Sequence, residues 1–220
     1  PPATSNAATL TIQEQPEVTV DPVSQTVCEG ASVTFTVNAG ATTSPTYQWR
    51  KGGVNIGGAT ASSYTIPVTA AADAGNYDVV VSSGVGCGVS VISAVATLTI
   101  NTSPVVTVHP VSQTICEGIG VTFTVTATGT ALTYQWRKNG VDIGGATASS
   151  YNIPATLTAD AGTYTVIVSG TCAPPATSNA ATLTIQEQPE VTVDPVSQTV
   201  CEGASVTFTV NAGATTSPTY

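Results

Sequence analysis

Val18 to Val37 reads VTVDPVSQTVCEGASVTFTV, and Val106 to Val125 reads VTVHPVSQTICEGIGVTFTV, 88 residues further on. In both, the closing Val-Thr-Phe-Thr-Val alternates apolar with hydroxyl side chains, the period-2 pattern of a half-buried strand, and a glycine punctuates the approach to it. Later landmarks keep nearly the same spacing: Trp49 to Trp136 and Tyr77 to Tyr164 shift by 87, Cys87 to Cys172 by 85. A longer identity encloses this one. Pro1 to Tyr47 recurs letter for letter as Pro174 to Tyr220, a shift of 173, so the repeating unit holds two diverged domains.

These offsets predict a partial domain over 1–15 (the last strand of a preceding unit), complete domains over 17–100 and 104–185, and the first strands of a following domain over 190–220. The joints are QEQPE at Gln13–Glu17, NTSP at Asn101–Pro104 and QEQPE at Gln186–Glu190. Joints this short, each with a proline, predict semi-rigid coupling. The identity of the two ends predicts that the sequence is a window on a longer array. Runs such as Tyr77–Val81 and Ala96–Ile100 repeat the period-2 pattern, glycine pairs separate them, and no stretch sustains a helical period. About seven strands per domain predict a two-sheet sandwich.

Composition narrows the function classes. Charged residues make up 8% of the chain, and the basic ones, Arg50, Lys51, Arg137 and Lys138, face thirteen acids for a net charge of −9. That balance disfavours nucleic acid and anionic lipid as partners. No run of about 18 apolar residues offers a membrane span, and membrane insertion by this segment is not expected. The five cysteines, Cys28, Cys87, Cys116, Cys172 and Cys201, show no C-x-x-C spacing, which points to disulfides in an oxidising, extracellular setting.

Three motifs in each copy carry a family resemblance: G-x-x-V-T-F-T-V, then Tyr47-x-Trp49-Arg50-Lys51, then Asp73-Ala74-Gly75-x-Tyr77; the second copy has Tyr134, Trp136, Arg137, Lys138, Asp160, Gly162 and Tyr164. This pattern resembles the immunoglobulin superfamily. The resemblance implies an all-β fold of tandem immunoglobulin-like β-sandwiches in an end-to-end array, with a core tryptophan on strand C and a tyrosine at the E–F corner. Where antibody-type domains carry their two cysteines, this chain has Val37 and Val79, or Val125 and Val166. The expected core anchors are therefore Trp49, Tyr77, Val37 and Val79, and Trp136, Tyr164, Val125 and Val166.

Against the same framework each domain has one cysteine before strand B and one after strand F, expected at the same end of the sandwich. The expected bridges are Cys28–Cys87 and Cys116–Cys172, with Cys201 left unpaired. Tandem domains with displaced cysteines, Thr-rich strands and Y-x-W-R-K motifs resemble the very long repetitive surface adhesins of Bacteroidetes, including those exported for gliding motility. That resemblance implies a stalk at the cell surface whose partners are neighbouring repeats of the same polypeptide, with surface glycans or other copies of the filament as further candidates.

No catalytic residue, cofactor or metal site is expected. His109 stands where the other copies have Asp21 and Asp194, in a turn beside proline, which reads as structural. Asp73 and Asp160 read as backbone caps. Gly84-x-Gly86-x-Gly88 lacks the following helix or lysine of a phosphate loop and reads as a hairpin. Glu14, Glu17 and Asp21 lack the alternating oxygen ligands of a calcium loop. Tyr64 and Tyr151 are read as exposed, with strand-edge packing preferred over a sugar platform, and Arg50 and Lys51 as surface ion-pair partners.

Overall fold

A computed structural model describes residues 2–85, 88–187 and 189–213. The chain divides into two compact units, Pro1–Thr102 and Ser103–Tyr220, and among the described residues both are all-β apart from single 3-10 turns at Ala71–Asp73 and Thr158–Asp160.

In the first unit the strands are β1 (Gln25–Cys28), β2 (Val33–Thr36), β3 (Pro45–Lys51), β4 (Val54–Asn55), β5 (Ser63–Ile66), β6 (Gly75–Ser83), β7 (Val91–Ile92) and β8 (Ala96–Asn101). One sheet has the order β1-β8-β6-β3-β4, with β7 also on β6, and the other pairs β2 with β5. β1 runs parallel to β8, with Gln25 opposite Leu98 and Cys28 opposite Asn101. The chain therefore crosses the sandwich before joining its own last strand.

The second unit repeats this plan with β9 (Val105–Val108), β10 (Gln113–Cys116), β11 (Val121–Thr124), β12 (Thr126–Thr128), β13 (Thr133–Lys138), β14 (Val141–Asp142), β15 (Ser150–Ile153), β16 (Gly162–Ser169), β17 (Ala176–Thr177) and β18 (Ala181–Gln186). Its main sheet runs β10-β18-β16-β13-β14, with β11 on β15 and β9 on β12. β10 is parallel to β18, and Cys116 lies opposite Gln186. Residues 2–17 carry no strand; over 190–213 the Val193–Asn211 bridge repeats the Val20–Asn38 bridge of the first unit.

Alternation explains the core. In β2 the valine and phenylalanine are buried and both threonines exposed, and β11 does the same. Trp49 and Trp136 are fully buried, as are Val79 and Val166, and Val37, Val125, Tyr77 and Tyr164 are also in the core. Valines thus fill the space that a core disulfide takes in antibody-type domains. Trp49 is the cross-strand neighbour of Val79, and Trp136 of Val166.

Candidate functional site

The aromatic residues of each domain form one cluster. Phe35 stacks on Tyr77 at 4.9 Å and tilts against Trp49 at 6.1 Å, and Tyr64 lies 6.2 Å from Trp49 and 6.1 Å from Tyr77. The second domain reproduces it with Phe123, Trp136, Tyr151 and Tyr164, the Phe123–Tyr164 centroids being 4.8 Å apart. Tyr64 and Tyr151 are half-buried in these clusters, which corrects their reading as exposed rings. Period-2 alternation puts Tyr64 on the same face as the buried Ile66. Beside each lies an open hollow of about 250 Å³, between the Gly57–Ala61 turn and β5 and between the Gly144–Ala148 turn and β15.

The buried indole and phenol groups of these clusters are met within their own domains. The Trp49 indole N–H donates to the Ala61 carbonyl at 2.9 Å, and Trp136 to Ala148 at 3.0 Å. The Tyr77 hydroxyl donates to the Asp73 carbonyl at 2.7 Å, and Tyr164 to Asp160 at 2.8 Å. Burial pushes the Tyr77 phenol up to about 12, helped by the charge of Asp73 and by Tyr64. Tyr164 is likewise pushed up to about 12 by burial, then by Asp160 and Tyr151. The Asp73 carboxylate accepts the Ala70 N–H and Asp160 that of Leu157, both at 2.8 Å.

The cations are engaged inside their domains. Arg50 grips Asp78 through two bonds of 2.7 and 2.9 Å, which raises its pKa further through the hydrogen bond to Asp78. In the second domain Thr165 replaces Asp78, and Arg137 turns to Asp142 on the other flanking strand, at 2.5 Å. Lys51 donates to the Ala72 carbonyl and Lys138 to that of Ala159, their ammonium groups 5.7 and 6.0 Å from the Tyr77 and Tyr164 ring centroids.

The remaining candidates are structural too. Asp21 accepts the Ala94 N–H at 2.7 Å, and His109 accepts the equivalent Asn179 N–H at 3.0 Å through Nδ1. Glu17 accepts the Ala41 N–H at 2.6 Å, and Thr43 Oγ1 accepts the N–H of Glu14 at 2.9 Å. Gly84 N–H donates to the Ser44 carbonyl at 2.8 Å; Gly86 lies outside the described residues.

Sequence reasoning missed two buried hydroxyls that recur in both domains. Ser93 Oγ accepts the N–H of Val79 at 3.1 Å and donates to Ala94 O at 2.9 Å, and Ser178 serves Val166 and Asn179 in the same way. Thr69 and Thr156, both buried, donate to the carbonyls of Cys28 and Cys116 at 3.2 and 3.4 Å. Their recurrence at the domain offset was the available signal.

The cysteines overturn an expectation. Cys116 carries a free, exposed thiol while Cys172 is disulfide-bonded, so the expected Cys116–Cys172 bridge is absent. The register gives the reason. Cys116 lies level with Gln186, at the C-terminal pole of its domain, whereas Cys172 follows β16, whose last residue, Ser169, pairs with the first residue of β13 at the opposite pole. The length of β16 alone separates them by about 25 Å, and a disulfide tolerates roughly 7 Å between Cα atoms. Cys28 is disulfide-bonded and also stands at its domain's C-terminal pole, while β6 ends at the other pole with Ser83. Its expected partner, Cys87, lies outside the described residues. Cys201 is a free, exposed thiol.

The geometry has counterparts among known proteins. Three consecutive immunoglobulin domains from the titin I-band match with a TM-score of 0.68 at 20% identity, over 84% of this chain and 70% of that one. DIP-gamma IG1+IG2 matches with a TM-score of 0.61 at 15% identity, over 79% and 99%. In sequence, 176 residues are 32% identical to Endoglucanase C of Cellulomonas fimi, covering 75% of this chain and 16% of the enzyme. A 59-residue stretch is 48% identical to the decoration protein of Escherichia phage T5, over 26% of this chain and 36% of that protein. The chain thus spans well under half the length of either relative. The immunoglobulin domain family matches at residues 15–83 and again at 103–169, and with the tyrosine corner, core tryptophan and sheet order described above the chain belongs to that family.

Proposed function

We propose that these domains are spacer units in the stalk of a large secreted cell-surface adhesin, projecting a distal adhesive region, in the manner of the repetitive surface adhesins of Bacteroidetes that serve attachment or gliding. The observation that carries this reading is the duplication: two sandwiches with the same main-sheet order and the same aromatic cluster, inside a letter-for-letter 173-residue period. Arg50, Lys51, Arg137 and Lys138 are all spent on groups of their own domain, as suits a load-bearing repeat rather than a ligand-binding one. Disulfide-bonded cysteines in immunoglobulin domains suit an extracellular or secreted setting. The likeness to Endoglucanase C carries no activity over, because it spans 16% of that enzyme. Neighbouring repeats of the same polypeptide are the main partners.

The hollow beside Tyr64 and Tyr151, present in both domains, favours a second reading. Each domain would be a weak glycan or protein receptor whose avidity grows with copy number. A glycan array probed with the two-domain chain separates the readings: silence supports the spacer, and binding at micromolar strength overturns it. Images of the native protein should show a thin beaded filament with domains spaced by roughly 40 Å, from strand length.

A further inference from the structure

The small sheet of each domain has two edges, and they differ. In the first domain β5 pairs with β2 at Phe35–Tyr64 and Val33–Ile66, and the Val37 N–H donates to the Ser62 carbonyl at 3.0 Å. Antiparallel ladders alternate, so Tyr64 and Ile66 turn their backbone groups to β2 while Ser63 and Thr65 turn theirs outward, as Thr34 does on the far side. There the Thr34 carbonyl is capped, because Gln25 Nε2 donates to it at 2.8 Å. Gln113 caps Thr122 in the second domain at 3.1 Å, and Gln198 caps Thr207 at 2.8 Å. The β5 edge has no such cap. Among the described residues no hydrogen bond outside the ladder reaches the backbone of Ser63 or Thr65, or of their counterparts Ser150 and Asn152 on β15, and all four residues are exposed.

The open stretch has definite limits. Next in the alternation on one side, the Ala61 carbonyl is taken by the Trp49 indole, and that of Ala148 by Trp136. On the other side stand Pro67 and Pro154, which have no N–H. Two outward residues remain per edge, and the approach to them is clear. The flanking hollow is bordered by Gly57 and Gly58, or by Gly144 and Gly145, where even a Cβ would meet nothing within 4 Å. Residues 52–72 and 143–159 also hold no Asp, Glu, Lys or Arg, although charged side chains are a common guard of such edges.

We propose that β5 and β15 are docking edges for the same edge of a second copy of this chain. Two features select that occupant. Copies of a chain with net charge −9 repel one another, and least where they meet on a neutral edge. The pattern is also its own complement. In an antiparallel pair with Tyr64 on the two-fold axis, Ser63 of each copy lies opposite Thr65 of the other, and their outward groups make four N–H to O=C bonds. The Ser63 and Thr65 hydroxyls then meet across the new ladder, while each Tyr64 ring stays in its own core cluster. Two two-stranded sheets become one of four strands. β15 offers the same match, with Ser150 opposite Asn152.

Four bonds make a weak contact, and the prolines keep it from growing. In an array the contact recurs with every domain, so filaments lying side by side are held by number. That extension rests on the stalk reading; the pairing of two copies does not.

Residue-resolved amide hydrogen exchange on the whole chain, in reductant, at about 0.05 mM and about 1 mM tests this directly. Exchange at Ser63, Thr65, Ser150 and Asn152 should slow at least about threefold at the higher concentration, while Thr34 and Thr122 on the capped edges stay unchanged. Exchange independent of concentration at β5 and β15 overturns the proposal, as does protection of Thr34 and Thr122 instead. Ser63→Pro with Ser150→Pro removes one outward N–H per edge and no bond to β2 or β11. The concentration dependence at Thr65 and Asn152 should then vanish with both melting transitions in place, and its persistence overturns the proposal. Charge gives a second test should proline unfold the edge. Ser63→Lys with Ser150→Lys, and Ser63→Glu with Ser150→Glu, should each abolish the dependence alone and restore it when the two chains are mixed in equal amounts. A mixture that exchanges like its separate parts overturns the pairing. A positive glycan array would defeat the stalk reading and leave the exchange result untouched.

Discussion

Replacing Ser93 with alanine should destabilise the first domain by about 2 kcal/mol. Between β7 and β8 the chain steps away from β6, and the Val79 N–H would have no ladder partner. Ser93 Oγ fills that gap at 3.1 Å, while the backbone bond from Ser93 N–H to the Val79 carbonyl at 3.0 Å survives the substitution. Val79 is fully buried and Ser93 6% exposed, so a single lost oxygen leaves too little room for a replacement water. An orphaned buried donor costs about 1–3 kcal/mol, and the Ala94 carbonyl loses its partner as well. At roughly 4–8 °C per kcal/mol for a domain of this size, the melting temperature should fall by about 10 °C. Calorimetry under reducing conditions should show one of two transitions moved and the other in place. Ser178→Ala should produce the same shift in the other transition, because Ser178 meets Val166 at 3.0 Å. A loss below about 0.5 kcal/mol in either variant would refute the assignment of the hydroxyl as the missing ladder acceptor.

Trp49→Ala and Trp136→Ala should each cost about 3–5 kcal/mol in urea denaturation of the affected domain. Arg50→Ala should cost about 1 kcal/mol because its pair with Asp78 is largely shielded, with side chains 20% and 13% exposed; Arg137→Ala, at 37% and 56%, should cost less than about 0.5 kcal/mol. Because the Tyr77 and Tyr164 phenols are raised to about 12, the native state keeps protons that the unfolded state begins to lose near pH 10. Stability should therefore hold below pH 10 and fall between pH 10 and 12, and Tyr77→Phe should flatten that fall for the first domain in pH-dependent denaturation. Gly170→Ala places a Cβ 2.8 Å from the Thr130 carbonyl and should cost about 1–3 kcal/mol by thermal denaturation.

The repeat, the core tryptophan and the corner tyrosine were legible in the sequence because each is a local pattern: alternation in Val33–Val37, the spacing of Tyr47 and Trp49, and the Asp73–Tyr77 motif. The cysteine pairing was not. Cys28 reads as adjacent to the strand that follows it, but its pole is fixed by β1 running parallel to β8, seventy residues later in sequence, and local alternation carries no strand direction. Asp73 was legible as a cap because the Ala70 N–H that donates to it lies only three residues away. Ser93 was hidden among many serines, since its partner Val79 sits across a sheet neighbour.

The arginine that finds its carboxylate on β6 in one domain and on β14 in the other has a bearing on how neighbours in a tandem chain avoid trading parts. If the β3–β4 hairpin docked onto β16, Arg50 would face Thr165 and bring only Asn55 with it, so its charge would lie against the sheet without a counter-ion. The reverse exchange would set Arg137 between Asp142 and Asp78, two carboxylates on one guanidinium. Either trade leaves one sandwich with a charge too many and the other with one too few. Divergence between adjacent copies thus works as a key that makes each hairpin fit its own domain, where an array of identical copies would offer no such discrimination.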